Sequence, residues 1–205
     1  MYTITLTGNS SELSCEFFPP IEVSKNAKIC LLGFQTNNSI PNINEKCNKI
    51  GFIYNDVSVS YTIPTGSYEL TEIERAIKYA LHDTDIFFDL KADHKLLGFK
   101  NCKYPANVNH ESDTVVNITK TNCMYIESNL VMGSFNNGNQ CHTIHEFYPN
   151  VPPGYTIIEI PSHLVFYAIN STSITHTSII LKNQNGELID LRGEPISILL
   201  LIQDL

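Results

Sequence analysis

The amino-acid sequence predicts an all-β protein that carries one α-helix. Isoleucine is frequent, threonine and valine are plentiful, and aromatic residues make up 10% of the chain. Apolar and polar residues alternate in short runs between turn signals, which is typical of half-buried strands. A period near 3.6 appears clearly in one stretch, residues 63–81. We therefore expect two packed sheets and a single helix.

The turn signals divide the chain into a series of short strands. Up to residue 90 we expect strands at 2–6, 13–17, 28–35, 51–54, 57–63 and 86–90, and beyond it at 114–119, 123–132, 155–160, 164–168, 173–181 and 196–202. The sequence GSFNNGNQ, residues 133–140, is expected to form an exposed loop. The sequence NQNGE, residues 183–187, is the tightest hairpin signal in the chain. Such a number of strands suits a sandwich.

The stretch IPTGSYELTEIERAIKYAL, residues 63–81, predicts a helix over about 69–81. One face of this helix collects the apolar residues Leu70, Ile73, Ile77, Ala80 and Leu81. A hydrophobic staple between Tyr68 and Ile73 would start the helix after Glu69. A capping box of Thr71 and Glu74 would start it later, and both starts are open.

Length and composition favour a single domain over residues 1–205. The chain is 42% hydrophobic, enough for one sizeable core, and it contains no long Gly/Ser-rich or Pro-rich linker. A strand-rich chain with one helix after its early strands suits a single jelly roll, in which the helix covers one end of the two-sheet sandwich. The residues expected in its core are Ile29, Leu31, Phe34, Ile73, Ile77, Leu81, Ile126, Leu130, Ile158, Ile160, Ile179, Leu181, Ile198 and Leu200.

The N-terminal sequence and the cysteines predict that the protein is made in the cytosol or nucleus and is not secreted. No basic segment followed by an apolar one stands at Met1, and no apolar run is long enough to span a membrane. We therefore expect no membrane partner and free thiols rather than disulfides. The six cysteines, which form no CxxC pair and have no metal-ligand spacing, are Cys15, Cys30, Cys47, Cys102, Cys123 and Cys141.

The charge of the chain argues against direct nucleic-acid binding. Twenty-one acidic residues outnumber thirteen basic ones, which gives a formal net charge of −8. Binding to phosphates needs clustered lysine and arginine, and the four lysines within residues 91–103 alternate with Asp93 and His94. We expect that stretch to be a solvated loop face.

Two clusters of polar residues invite a catalytic interpretation that their spacing does not support. In CHTIHE, His142 and His145 would project from opposite faces of a strand, so they could share a metal with Glu146 only if the segment were bent or helical. In HESD, residues 110–113, no nucleophile elbow surrounds Ser112. We expect hydrogen-bonded histidines, a loop cap before a strand at Thr114, and neither catalytic residues, a metal site nor a cofactor.

Several longer segments of the sequence resemble those of a known protein family. LLGFQTNNSIPNI, IPTGSYELTEIERAI, HESDTVVNI, GSFNNGNQCHTIHEFYPNVPPGYTIIEIPSHLVFYAIN and NGELIDLRGEPISILLLIQDL together resemble proteins of Polinton (Maverick) elements and adintoviruses, namely single jelly-roll minor capsid, or penton, proteins. The resemblance runs from about Phe17 to the C-terminus, and HTIHEFYPNVPPGY and HESD are its most specific parts. This chain is shorter than that pattern between the helix and HESD.

The resemblance implies a structural protein of the virion rather than an enzyme. It implies a homopentamer at the fivefold vertices of an icosahedral shell, with the major capsid protein as its neighbour. Three other functions stay open: a jelly-roll or fibre-head module that binds glycans or a receptor, a part of the major capsid system, and a cupin-type metalloenzyme built on His142, His145 and Glu146.

A ring of identical subunits needs two different complementary side surfaces, and one segment is rich in residues of the interface type. The stiff turn NVPPGY, residues 150–155, delivers Tyr155 onto the next strand in a fixed direction. The candidate interface residues are Phe135, His142, His145, Phe147, Tyr148 and Tyr155.

Overall fold

The computed structural model describes residues 1–54, 57–80, 87–89, 97–100, 103–104 and 110–204. In chain order its elements are β1 (Tyr2–Gly8), β2 (Glu12–Glu22), β3 (Lys28–Asn37), β4 (Lys49–Tyr54), β5 (Val57–Thr62), α1 (Leu70–Ala80), β6 (Phe87–Asp89), β7 (Lys103–Tyr104), β8 (Met124–Ser128), β9 (Val131–Met132), β10 (Ser134–Asn136), β11 (Asn139–Cys141), β12 (Thr143–Phe147), β13 (Thr156–Glu159), β14 (Tyr167–Ile169), β15 (Ser173–Asn183) and β16 (Ile196–Gln203).

The chain divides into two compact units. The sandwich unit consists of Met1–Ile40 and Thr121–Leu205, and the helix unit consists of Pro41–Lys120. The helix unit is therefore an insertion between β3 and β8. The expectation that residues 1–205 form one domain stays a prediction.

The sandwich unit contains two large antiparallel sheets, besides the two-stranded pair of β10 and β11, and they confirm the predicted all-β jelly roll. The first sheet has the strand order β1, β16, β3, β14 and β9, and β13 also pairs with β3. The second sheet has the order β12, β8, β15 and β2. Strand β1 contacts β2 and strand β12 contacts β3, so the two sheets face each other.

The core of the sandwich unit follows from apolar residues at every second position of its strands. In β16, ISILLLIQ, every second side chain is buried, which is the pattern of a strand with one face on a core. The buried side chains of both sheets form one cluster that includes Ile29, Leu31, Phe34, Met124, Ile126, Ile144, Ile179, Leu181, Ile198, Leu200 and Ile202.

The helix unit has its own apolar cluster beside a four-stranded sheet of order β5, β4, β6 and β7. Ile73 of α1 is 1% exposed and packs with Ile43, Ile50 and Ile63. Ile77 packs against this cluster but is only partly buried. The prediction that Ile73 and Ile77 join the core of the sandwich is wrong, because they belong to this separate cluster.

The start of α1 decides between the two predicted N-termini. The Glu69 carbonyl accepts hydrogen bonds from the amides of Glu72 and Ile73, at 3.0 and 3.1 Å. The Glu72 carboxylate in turn accepts from the Glu69 amide at 2.8 Å. Glu69 is therefore the N-cap residue and Glu72 closes half of a capping box. The start at Leu70 confirms the earlier of the two registers.

The buried Asn42 fixes the approach to this helix. Its side-chain amide donates to the Tyr68 carbonyl at 2.7 Å, and its side-chain oxygen accepts from the Tyr68 amide at 2.9 Å. Tyr68 also packs against the cluster that contains Ile73, as a hydrophobic staple requires. One asparagine therefore satisfies both backbone groups of the residue before the N-cap.

Several predicted strands differ from the structure. Residues 114–119 form no strand; instead the Thr114 amide donates to the Gly98 carbonyl at 3.0 Å. The predicted strand at 123–132 is two strands, β8 and β9, and the predicted loop GSFNNGNQ holds β10 and β11. Of the predicted core, Leu81 lies outside the described residues, as do the ends of the strand expected at 86–90.

The core prediction fails for the strand at 155–160. Ile158 is 63% exposed and Ile160 is 73% exposed, whereas Ile157 is buried. Adjacent residues of a strand point to opposite faces, and here both are isoleucines. The sequence alone therefore does not tell which of the two faces the core. The pairing of Ile157 with the buried Thr36 on β3 settles it.

No helix in the described ranges is long and apolar enough to cross a membrane. The five described cysteines are free thiols, and Cys102 lies outside the described residues.

Candidate assembly surface

The predicted interface segment begins with a hairpin that the sequence analysis missed. β10 pairs with β11 through a two-residue turn at Asn137 and Gly138, whose φ angles are 49° and 80°. Two positive φ values in a two-residue turn are those of a type I′ hairpin, for which Asn-Gly is the favoured sequence. The aromatic ring of Phe135 projects from this hairpin and is 68% exposed.

The base of the hairpin is held by side-chain hydrogen bonds. The Ser134 hydroxyl donates to the Cys141 carbonyl at 2.8 Å, and the Cys141 thiol donates to the Ser134 oxygen at 3.3 Å. Burial raises the pKa of the Cys141 thiol, but hydrogen bonds with Ser134 and Thr143 outweigh burial and lower the pKa below its ordinary value. This shift favours the thiolate form of Cys141.

Strand β12 forms one edge of the second sheet and carries two of the candidate residues inward. Its register against β8 shifts between Thr143 and His145, which marks a bulge. Beyond the bulge, Phe147 is 5% exposed, and its ring lies 5.2 Å from that of Phe34 in the first sheet. Phe147 thus belongs to the core and is not available to a neighbouring subunit. This part of the interface prediction is wrong.

His145 links the two sheets at this edge of the sandwich. Its Nε2 lies 2.9 Å from a carboxylate oxygen of Glu159, which belongs to β13 of the first sheet. The two side chains are 20% and 27% exposed, and the His145 ring also stacks on Phe147. This pair joins the edge strand of one sheet to a strand of the other.

The histidine cluster does not converge on one point. The Nδ1 of His142 lies 2.8 Å from the Val131 carbonyl oxygen, while His145 is engaged with Glu159. Within the described ranges, no three His, Cys, Asp or Glu side chains are close enough together to hold a metal ion. Each histidine is thus hydrogen-bonded at a strand edge.

Hydrogen bonds within the turn Pro152-Pro153-Gly154-Tyr155 and from Asn38 hold this turn in place. Gly154 has a φ of 81°, and the Tyr155 amide reaches the Pro152 carbonyl at 3.3 Å. Asn38 accepts from the Gly154 amide at 2.9 Å and donates to the Tyr155 carbonyl at 2.8 Å. The Asn38 side chain also donates to the Val151 carbonyl at 2.8 Å. The turn is therefore rigid, and Tyr155 leaves it 61% exposed in a fixed direction.

Two exposed edges emerge from this arrangement. The β12–β13 edge carries Tyr148, 70% exposed, Tyr155 and Ile158. The β1–β2 edge lies at the other side of both sheets and carries Tyr2, 42% exposed, and the fully exposed Phe18. The sequence analysis assigns Ile158 to the core, because an apolar residue in a strand is expected to face inward, and it gives Tyr2 and Phe18 no interface role.

Prolines shape the β1–β2 edge. Pro19 and Pro20 follow Phe18 within β2, and the register of β2 against β15 shifts nearby. A proline has no amide hydrogen to offer a further strand, so this part of the edge resists extension of the sheet. Contacts here must come from side chains such as Phe18. The tripeptide Phe18-Pro19-Pro20 is the signal that the sequence offers for this edge.

Comparison with known proteins gives one kind of match. No family model matches the chain, and no curated protein matches its sequence. Among solved structures, it matches the crystal structure of the mavirus penton protein, over 100% of this chain and 99% of that chain. The TM-score is 0.53 and the sequence identity is 11%. The similarity spans the whole of both chains, so this protein has a penton-like jelly-roll fold.

Proposed function

We propose that this protein is a minor capsid subunit, a penton, that forms homopentamers at the fivefold vertices of an icosahedral shell. The observation that carries the proposal is the match in fold to a penton protein along the full length of both chains. A structural role needs no catalytic group. The proposal extends to a Polinton (Maverick) or adintovirus-like element as the source of the shell, with the major capsid protein as the neighbour, and to the virion as the location.

The two edges of the sandwich unit support a ring. A ring closes through heterologous contacts, in which one surface of a subunit meets a different surface of the next. The β12–β13 edge and the β1–β2 edge lie on opposite sides of the unit and expose different side chains. Both expose large apolar side chains, which single out surfaces that a neighbour covers. We therefore assign these two edges to the contact between adjacent subunits.

The stiffness of the β12–β13 edge favours binding. Asn38 holds the Pro152–Tyr155 turn by three hydrogen bonds, and the His145–Glu159 pair ties the edge strand to the opposite sheet. A preorganised surface loses little conformational entropy when a partner docks. Tyr148 and Tyr155 are side chains of the type that dominate interface energies.

The mass of the purified protein over a wide range of concentrations tests the proposal. We expect a monomer–pentamer equilibrium and five-membered rings in electron micrographs. Trimers would contradict the proposal and favour a fibre or major capsid role. A monomer at every concentration would contradict it in favour of a jelly-roll module that binds a glycan or receptor.

Single-edge variants test which surfaces meet. The single variant Phe18→Asp should block contacts at the β1–β2 edge. The double variant Tyr148→Asp/Ile158→Asp should block contacts at the β12–β13 edge. In both, burying an unpaired carboxylate in the contact would cost too much free energy. Each variant alone should be monomeric. A matched control is Val115→Asp, which changes a side chain that is 90% exposed in the helix unit and should leave rings intact.

Mixing the two variants distinguishes a ring from a twofold dimer. Each variant retains one intact edge, and the two intact edges are complementary. The mixture should therefore form dimers of one copy of each variant and nothing larger. Restored pentamers, or no association at all, would contradict the assignment of these two edges.

A further inference from the structure

Cys47 and Lys120 make an unusually close contact in the helix unit. The Nζ of Lys120 lies 2.7 Å from the Sγ of Cys47. The other hydrogen-bond distances to the sulfur atoms of Cys47 and Cys141 are longer. Around Cys47 they are 3.3 Å from the Asn44 amide, 3.5 Å to the Asn44 side-chain oxygen and 3.6 Å to the Asn42 carbonyl. Around Cys141 they are 3.3 and 3.4 Å.

This distance is too short for an ordinary amine–thiol hydrogen bond and too long for a direct nitrogen–sulfur bond. It fits a nitrogen and a sulfur that are joined through one small atom. Covalent links of the type S–O–N between cysteine and lysine have this geometry. We propose that Cys47 and Lys120 form a reversible S–O–N crosslink when the protein is exposed to hydrogen peroxide.

The surroundings of the two groups suit this chemistry. Cys47 is 8% exposed and is held in a turn, where its amide donates to the Asn44 carbonyl at 2.9 Å. Lys120 is only partly buried, so a small oxidant can approach from its side. Burial raises the pKa of the thiols of Cys15, Cys30 and Cys123, which disfavours their reactive thiolate form, so we do not expect these three thiols to compete for peroxide.

The reaction consumes two molecules of peroxide. In the first step the Cys47 sulfur takes one oxygen from peroxide, which gives a sulfenic acid and one water. The Lys120 ammonium then loses one proton to solvent and becomes an amine. In the second step a further peroxide accepts two electrons as the oxygen–nitrogen bond forms, and two waters are released. The amine keeps one hydrogen, and the product is Cys–S–O–NH–Lys.

The crosslink would join the beginning of the helix unit to its last residue. Cys47 and Lys120 are separated by 73 positions in sequence. A link that closes such a long loop restricts the unfolded chain and stabilises the folded one. If the protein is a capsid subunit, as proposed above, the link would form when particles leave the reducing interior of a cell. The crosslink itself does not depend on that function.

Intact mass and peptide mapping of the full-length protein test the proposal. After mild treatment with hydrogen peroxide, the chain should gain one oxygen and lose two hydrogens, and the peptides that contain Cys47 and Lys120 should be joined. A thiol reductant should restore the original mass. The crosslinked protein should melt roughly 6–12 °C higher than the reduced protein.

Conservative variants identify the two atoms involved. Lys120→Arg keeps the positive charge but removes the amine. Cys47→Ser keeps the size of the side chain but removes the sulfur. Neither variant should form the crosslink or gain thermal stability after peroxide treatment. A Cys141→Ser background removes the competing thiol, and Cys30→Ser is the matched control that should still crosslink. Circular dichroism establishes that each variant is folded before treatment. Oxygen addition at Cys47 without a joined peptide, or an equal yield of joined peptide in Lys120→Arg, would overturn the proposal.

Discussion

Phe147 shows how neighbouring aromatic residues in one short segment serve different roles. Phe147 is buried against Phe34, while the adjacent Tyr148 is 70% exposed. Phe147→Ala should lower the free energy of unfolding by about 3–5 kcal/mol, because it leaves a cavity between the two sheets. Tyr148→Ala should change it by less than about 0.5 kcal/mol. Urea unfolding of both variants measures the difference, and equal losses would contradict this placement.

Asp113 is the carboxyl whose titration reports a local contact. The Lys100 side chain donates to it at 2.8 Å, and the Lys100 amide donates at 3.1 Å; both bonds lower the pKa of Asp113. A lowered pKa in the folded state stabilises the fold above the unfolded value of about 4, and this contribution is lost as the pH falls through the folded value.

The Asp113 pKa can be measured by NMR titration of its side-chain carbon. We expect a value below that of ordinary aspartate, rising toward the ordinary value in Lys100→Gln. The Asp113→Asn protein should lose the pH dependence that this group contributes below about pH 4. An Asp113 pKa unchanged in Lys100→Gln would exclude the side-chain bond as the main cause.

The sequence predicts single residues well where one rule applies and poorly where two compete. The sequence narrows the helix start to two local motifs, and the structure selects the staple of Tyr68 and Ile73 with Glu69 as the cap rather than the capping box of Thr71 and Glu74. Ile157 and Ile158 are adjacent and both apolar, so the alternation of apolar and polar residues does not show which of them faces the core. The pairing of β13 with β3 determines that Ile157 does. Interface aromatics and core aromatics look alike in sequence, which is why Phe147 was misplaced.

At the scale of elements, the β10–β11 hairpin depends on Gly138. Its φ is 80°, and a Cβ added there would meet no atom within 4 Å, so any cost of substitution is conformational rather than steric. Gly138→Ala should destabilise the hairpin by about 1 kcal/mol. The amides of Asn136 and Asn139, the pair that closes the two-residue turn, should then exchange with solvent about fivefold faster.

Gly33→Ala is the matched control for this prediction. Gly33 has no positive φ, and its added Cβ would lie 3.8 Å from the nearest atom, an ordinary contact. Hairpin exchange should therefore be unchanged in Gly33→Ala. Equal exchange rates in Gly138→Ala and the unmodified protein would show that the turn does not limit the opening of the hairpin.

Elements were predictable where the periodicity is strong and continuous. The helix at 70–80 and the strands β3, β15 and β16 lie where the pattern indicates. The sequence predicts a loop where the hairpin at 134–141 forms, because the strands of this hairpin are three residues long and mostly polar. The Asn-Gly pair within it was a usable signal. Conversely, the apolar residues of 114–119 suggested a strand, although the backbone of Thr114 pairs with Gly98 outside any sheet.

At the scale of the whole molecule, the prediction of one domain leads to a test by calorimetry. If residues 1–205 form one cooperative domain, Ile73→Ala in the helix unit and Ile198→Ala in the sandwich unit should lower the same single transition. Each substitution should lower the free energy of unfolding by about 2–5 kcal/mol and the melting temperature by roughly 5–15 °C. Two transitions, each moved by only one of the variants, would show two domains.

The architecture of the sandwich unit could be predicted from the sequence, while its division from the helix unit could not. The strand content of the sequence, and the segments that resemble a known capsid family, predict a single jelly roll. Nothing in the sequence separates the two clusters, because both are built from isoleucines at similar spacing. Which apolar residues pack together depends on contacts between distant parts of the chain, and periodicity does not contain that information.

Strand β16 imposes an order on the folding of a newly made chain. It lies between β1 and β3 in the first sheet, yet it follows both of them, and every other described strand, in the chain. While the ribosome is still translating residues before Ile196, β1 has no partner in that sheet and β3 lacks one neighbour. The described apolar cluster around Ile73 contains no residue of β16, so we expect it to form before β16 is made. In chains arrested before Ile196, hydrogen exchange should show protected amides around Ile73 but not in β1; protection of β1 at that stage would mean that another strand substitutes for β16 during synthesis.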